Sequence, residues 1–174
     1  MIDEVARRLG VTKWRTKDGS RQAHVAAQRV VLAQPLNYMN ESGWPLSKIA
    51  RWWKTPPSDL LVVVDDIDLP FGRLRMRESG GSGGHNGLKS IIEYFGEDFP
   101  RLRVGIGRSG DGAIDHVLSH FSKDEERRLN DLISVAADGV ERWLSRGAVD
   151  AMNLVNAYRE PAATQDETPA ADKT

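Results

Sequence analysis

Leu60-Leu61-Val62-Val63-Val64-Asp65-Asp66-Ile67-Asp68 is the stretch on which the reading of this chain turns. Five aliphatic residues in a row leave no polar face, as expected of a strand covered on both sides, so Leu60 to Val64 is the candidate centre of a sheet. The acids that follow stand where an α/β sheet opens at the carboxyl ends of its strands, the place where such folds hold ligands. Upstream, Trp44-Pro45 opens a helix with Leu46, Ile49, Ala50 and Trp53 on its buried stripe, and Pro56-Pro57 stops it. Before that helix, Ala23 to Ala27 and Arg29 to Ala33 read as two short strands, followed by a loop from Pro35 to Gly43. Downstream, Arg73, Arg75 and Arg77 alternate with Leu74 and Met76, a strand with one basic and one buried face. Arg101 to Ile106 repeats the pattern, with Leu102, Val104 and Ile106 inward and Arg101 and Arg103 outward.

Helical spacing accounts for most of the remainder. Ile2, Val5, Ala6 and Leu9 make one stripe, and Leu88, Ile91, Ile92 and Phe95 another. Lys123 to Arg146 is the clearest helix, and a shorter one covers Ala148 to Tyr158. Strands alternating with helices predict an α/β fold: a three-layer single domain with a mixed, mostly parallel central sheet flanked by helices. That domain spans residues 1–158, and 159–174, without aromatic or branched aliphatic side chains, is expected to be a disordered tail.

Composition narrows the function. With 174 residues, 40% hydrophobic, there is material for one domain. The absence of cysteine excludes disulfides, thiolate metal sites and cysteine nucleophiles, and points to the cytoplasm. A five-residue apolar run falls far short of the roughly 20 residues that cross a bilayer, so no membrane role is expected. Net charge is −1, but Gly72 to Arg108 carries seven basic against four acidic residues. A nucleic-acid partner is therefore permitted by charge without being demanded by it.

Four motifs stand out. Gly80-Gly81-Ser82-Gly83-Gly84 ahead of His85-Asn86-Gly87 reads either as an anion cradle at a helix start or as a turn that lets backbones approach closely. It matches neither nucleotide pattern: Lys89 follows Leu88 rather than Gly, and Asn86 stands where a third Gly would be. Asp65-Asp66-Ile67-Asp68 reads as a solvated acidic turn, a metal site or a helper to a general base; no second carboxylate cluster offers to complete a cage. His116 and His120 share a helical face, but Val117 replaces the Glu of a zinc protease, which favours surface histidines. Asn37, Asn40 and Ser42 around Tyr38 either cap the next helix or hold a substrate carbonyl or water.

Taken together, Gln34 to Gly43, Asp65 to Gly72, Gly80 to Ser90 and Arg101 to Gly107 resemble bacterial peptidyl-tRNA hydrolase, in order, spacing and near-identity, with the likeness running from Ile2 to Tyr158. The resemblance implies cleavage of the ester between a stalled peptide and the 3′ ribose of tRNA, without metal or cofactor, by a cytoplasmic monomer. It implies that Asn40 and Asn86 hold the peptide backbone or the attacking water, that Tyr38 lines the cleft and that His85 is a positioning residue. It also implies that Asp65 orients a catalytic histidine, that Arg75, Arg77 and Arg103 meet tRNA phosphates, and that Gly107 to Ala113 forms a lid. One departure falls on the chemistry. The family's Gly-Asn-Pro-Gly strand end and its Thr-Arg-His-Asn, which carries the general-base histidine, precede its first helix, and neither is in this sequence. The expectation is that in-frame codons ahead of Met1 encode them; the alternative is a truncated, unstable fragment or a catalytically silent RNA-binding relative.

Overall fold

The structure is a computed structural model and describes residues 1–107 and 123–159. Two three-stranded sheets form its middle layer. The first is an antiparallel meander of β1 (Arg15–Lys17), β2 (Ser20–Val25) and β3 (Val30–Pro35), with Ala23 paired to Leu32 in register. Asp18 and Gly19, both at positive φ, make the β1–β2 turn. The second contains β4 (Val62–Asp66), β5 (Leu74–Arg77) and β6 (Arg101–Gly105) in the order β4-β6-β5.

Helices cover both faces. On one side lie α1 (Ile2–Arg8), α4 (Lys123–Arg146) and α5 (Ala148–Ala157), whose Val5, Ala6, Leu132, Ala136, Ala151 and Val155 pack on Leu74, Met76 and Leu102. On the other lie α2 (Gly43–Trp53) and α3 (Asn86–Phe95), where Leu88 and Ile91 bury Val62 and Phe99. Arg8 ties α1 to α4 through Asp138 at 2.5 Å, Glu141 at 3.1 Å and Ser134 Oγ at 2.8 Å.

The α/β class, the mixed sheet and the flanking helices are as the sequence predicts, with four corrections. Among the described residues only β4 and β6 pair parallel, against three antiparallel pairings, so the sheet there is not mostly parallel. A parallel pair needs a long crossover, and the chain supplies one from β4 through β5 and α3 to β6, whereas β1–β2 and β2–β3 join by short connections that leave them antiparallel, and β5 meets β6 antiparallel through α3. Second, β6 is the central strand and β4 an edge. Leu61 and Val63 face one core and Leu60, Val62 and Val64 the other, so coverage of two faces explains the aliphatic run without two strand neighbours. Between β4 and β3 runs an open groove of about 1600 Å³, walled by Val30 to Pro35 on one side and by Leu60, Leu61 and Val63 on the other. Third, Arg101 does not face outward: it is 1% exposed, because the glycine loop lies over its side of the sheet. Fourth, Arg15 to Lys17, exposed at every residue, forms a strand that no apolar alternation announces. The predicted lid Gly107 to Ala113, beyond Gly107 itself, His116 and His120, and the tail beyond Arg159 lie outside the described residues.

Candidate functional site

The site gathers where β4 ends, where α3 begins, and where the turn Met39–Glu41 leads into α2. Strand β4 extends through both acids, so Asp65 and Asp66 differ by which way they leave the backbone. Asp66 is 9% exposed and spent on structure: its Oδ2 accepts from Arg103 Nη1 at 3.0 Å and its Oδ1 from the Asp68 amide at 2.9 Å. Asp65 keeps nearly half of its side chain in solvent, and its Oδ1 lies 3.6 Å from His85 Nε2.

His85 is the residue before α3, and its Nδ1 accepts the Leu88 amide at 3.1 Å, capping the helix. That bond occupies the Nδ1 lone pair and leaves the proton of the neutral ring on Nε2, aimed at Asp65. The imidazole so directed holds the Asp65 carboxyl below its usual 3.8, with burial pulling the other way. Both nitrogens of His85 are thus engaged, Nδ1 by the Leu88 amide and Nε2 toward Asp65.

Two glycines bring the Met39–Glu41 turn against α3. A Cβ on Gly87 would stand 2.7 Å from Met39 Sδ, and one on Gly43 would overlap the Ser90 carbonyl and come 2.6 Å from the Tyr94 ring. Bare backbone lets Gly43 N–H donate to buried Ser90 Oγ at 3.0 Å, which fixes α2 on α3. Beside this contact Asn37, Asn40, Glu41, Trp44, Ser90, Glu93 and Tyr94 line a hollow of about 380 Å³. Asn37 Nδ2 donates to Glu41 Oε2 at 3.3 Å, steadying the turn. Asn40 and Asn86 are exposed, and among the described residues nothing engages their amides; Tyr38 is 81% exposed.

The glycine loop turns its carbonyls inward onto two arginines. Arg101 donates to Gly80 O, to Gly81 O at 3.4 Å and to Glu97 O at 2.8 Å. Arg103 donates to Gly81 O at 3.3 Å and Ser82 O at 3.1 Å besides Asp66. This is a loop clamped to the sheet, which sides with the close-approach reading of the glycines over the anion cradle. Arg75 and Arg77 remain exposed on β5, opposite Arg103 and Arg101 in register. Among the described residues no group of three or more potential metal ligands occurs.

The sequence of residues 1–164 matches the family model described as peptidyl-tRNA hydrolase. The chain belongs to that family. The peptidyl-tRNA hydrolase of Syntrophomonas wolfei is 42% identical over 159 residues, covering 90% of this chain and 87% of the relative. That of Chloroflexus aurantiacus is 45% identical over 161 residues, covering 89% and 86%. Among solved structures, the Acinetobacter baumannii peptidyl-tRNA hydrolase is similar with a TM-score of 0.83 at 28% identity, covering 92% of this chain and 84% of that one, and its Arg119Gln mutant scores 0.84. The chain is thus a hydrolase of the peptidyl-tRNA hydrolase family, with that family's α/β fold. Around its site, sequence reasoning missed Gly43 and Ser90, the pair that holds the Asn40 turn; a glycine opening a helix was the available sign.

Proposed function

We propose that this chain cleaves the ester linking a peptide to the terminal ribose of tRNA, releasing both. The observation that carries the reading is the Asp65–His85 pair: an ionised, half-exposed carboxylate held by an imidazole beside Asn86 and the Asn40 turn. In this reading Asn40 and Asn86 donate to the peptide carbonyls or hold the water, and Tyr38 lays its ring along the cleft. Asp65 stabilises the protonated form of a histidine whose work as general base is typically worth about 10² to 10⁴ in rate. That histidine is not among the described residues: His24 stacks on Trp53 at 4.5 Å, and His85 is committed as above. Arg75 and Arg77 meet phosphates, where bidentate guanidinium contacts fix register. Arg103 has its donors turned onto Asp66 and the loop and contributes to phosphate binding only by giving up some of them.

The test is release of labelled peptide from peptidyl-tRNA, by this chain and by one extended at its N-terminus with the Gly-Asn-Pro-Gly and Thr-Arg-His-Asn segments of the family. Asp65→Asn, Asn40→Ala and Asn86→Ala are expected to reduce kcat/KM at least tenfold in whichever form is active, and Arg75→Gln with Arg77→Gln to raise KM. Full activity of all three single variants would sink the assignment of the site.

A further inference from the structure

A second surface combines aromatic rings and positive charge. Trp44, Lys48 and Trp52 are four residues apart on α2 and share one exposed face, about 12 Å from end to end. Trp52 is 72% and Trp44 42% exposed. Each indole is met by an ammonium: Lys17 Nζ from β1 lies 4.7 Å from the Trp52 ring, and Lys48 Nζ 5.6 Å from that of Trp44. The β1–β2 turn runs alongside, with Gly19 against the Trp44 ring. Arg15 and Arg51 add exposed charge on the same two elements, and Lys54 adds more at the end of α2. From Lys13 to Lys54 the chain holds eight basic residues against two acidic, an excess of six in a protein whose net charge is −1. At its near end the track meets the hollow shared by Asn37, Asn40 and Trp44.

Isolated exposed hydrophobes need no explanation, but two large rings on one face, each met by an ammonium in a basic field, do. Interleaved aromatics and cations are the chemistry that holds single-stranded nucleic acid, bases stacking on rings while ammonium groups track the backbone. A peptide of arbitrary sequence gives no reason for a positive excess of six charges.

We infer that the Trp44–Lys48–Trp52 track with Lys17 is a second RNA-contacting surface, which takes an unpaired stretch of the tRNA portion of the substrate as it leaves the Asn40 hollow. The inference rests on the peptidyl-tRNA reading and adds to it a contact separate from the arginines of β5.

The experiment measures binding of deacylated tRNA and of a short unstructured oligouridine to the full chain by fluorescence anisotropy over a salt series. Trp52→Ala is expected to weaken oligouridine binding about 5- to 150-fold, the loss of one stacked base, with Trp52→Phe restoring most of it. Lys17→Glu with Lys48→Glu is expected to lower the slope of log K against log salt by about 1.4, for two single-strand phosphate contacts. These side chains are exposed, and an unchanged circular dichroism spectrum shows that the variants fold. Unaltered affinity for both RNAs in both variants overturns the inference. So does binding of the track to vesicles containing phosphatidylserine, lost in Trp52→Ala, with no effect on RNA. Arg75→Gln with Arg77→Gln separates the two readings: if it alone weakens tRNA binding, the peptidyl-tRNA reading stands and the track falls, and if no variant alters tRNA binding, both fall.

Discussion

Gly43→Ala sets local propensity against tertiary geometry, and the two predict opposite signs. Residue 43 is the first of α2, where alanine in place of glycine is worth up to about 1 kcal/mol in favour of the helix. The structure predicts the reverse. A methyl at this position would fall on the Ser90 carbonyl and 2.6 Å from Tyr94 Cδ2, so α2 and α3 must separate. Overpacking of this kind typically costs about 1–3 kcal/mol. Separation also breaks the bond from Gly43 N–H to Ser90 Oγ, 3.0 Å long and buried, and an orphaned buried amide adds about 1–3 kcal/mol. Net of propensity, a loss near 3 kcal/mol is expected, read as a fall in Tm of roughly 6–12 °C for a domain of this size. Urea unfolding followed by circular dichroism measures it, with Ser90→Ala as the companion that removes the acceptor without the clash. Because Asn40 sits three residues before the glycine, KM for peptidyl-tRNA should rise in parallel. A Gly43→Ala protein as stable as its parent, or more so, would refute the claim that bare backbone contact fixes this turn.

Three further outcomes are expected. Arg101→Met removes a buried guanidinium that serves four carbonyl oxygens, those of Gly80, Gly81, Glu97 and Phe99; it should destabilise by at least about 3 kcal/mol and raise amide exchange through Gly80 to Ser82. Asp65 has a lowered pKa in the folded chain because His85 faces it, so the folded state binds fewer protons than the unfolded one in that window. Its stabilising contribution is therefore complete above the ordinary value of 3.8 and fades as pH falls through the lower folded value, a dependence that carboxyl NMR detects and Asp65→Asn abolishes. Glu4, held to about 2 by Arg7 and Arg8, follows the same sign: its link from α1 through Arg8 persists well below 4.5 and loosens only toward pH 2, visible as late titration of the Glu4 carboxyl.

The sequence conveyed what periodicity conveys. Leu74 and Met76 inward with Arg75 and Arg77 outward is what the structure has, because a strand with one wet face writes its burial into every second letter. Coverage of Leu60 to Val64 on two faces was equally legible, but the number of strand neighbours was not, since hydrogen-bonding edges leave no trace in side-chain polarity. Arg101 shows a different limit. A charge at an alternating position reads as solvent-facing until the loop that covers it is placed, and Gly80 is 21 residues away. Of the site, the residues came into view through motifs and their arrangement did not: no pattern in Asp65-Asp66 tells which carboxylate is buried against Arg103. Trp53 erred in the opposite direction: its helical spacing put it on the buried stripe of α2, yet it is 46% exposed, and the exposed Trp44 and Trp52 beside it carry no spacing that announces a surface.

His85 offers the sharpest separation of positioning from catalysis. Its ring caps α3 through Nδ1 and orients Asp65 through Nε2, and the two roles respond differently to substitution. Asparagine retains an acceptor for the Leu88 amide and loses the partner of Asp65; alanine loses both. His85→Ala should therefore cost about 0.5–2 kcal/mol of stability, the usual worth of such a cap, while His85→Asn stays near the parent. In each variant the Asp65 carboxyl should return toward 3.8, since its largest cause of depression is gone. Turnover should fall modestly and alike in both, and the pH profile of kcat/KM should keep its imidazole limb, because the proposed base is a different histidine. A drop of 10² to 10⁴ in His85→Asn, accompanied by loss of that limb, would make His85 the base. It would also mean that the Leu88 cap opens during the reaction, since a nitrogen already holding a backbone proton has no pair left for water.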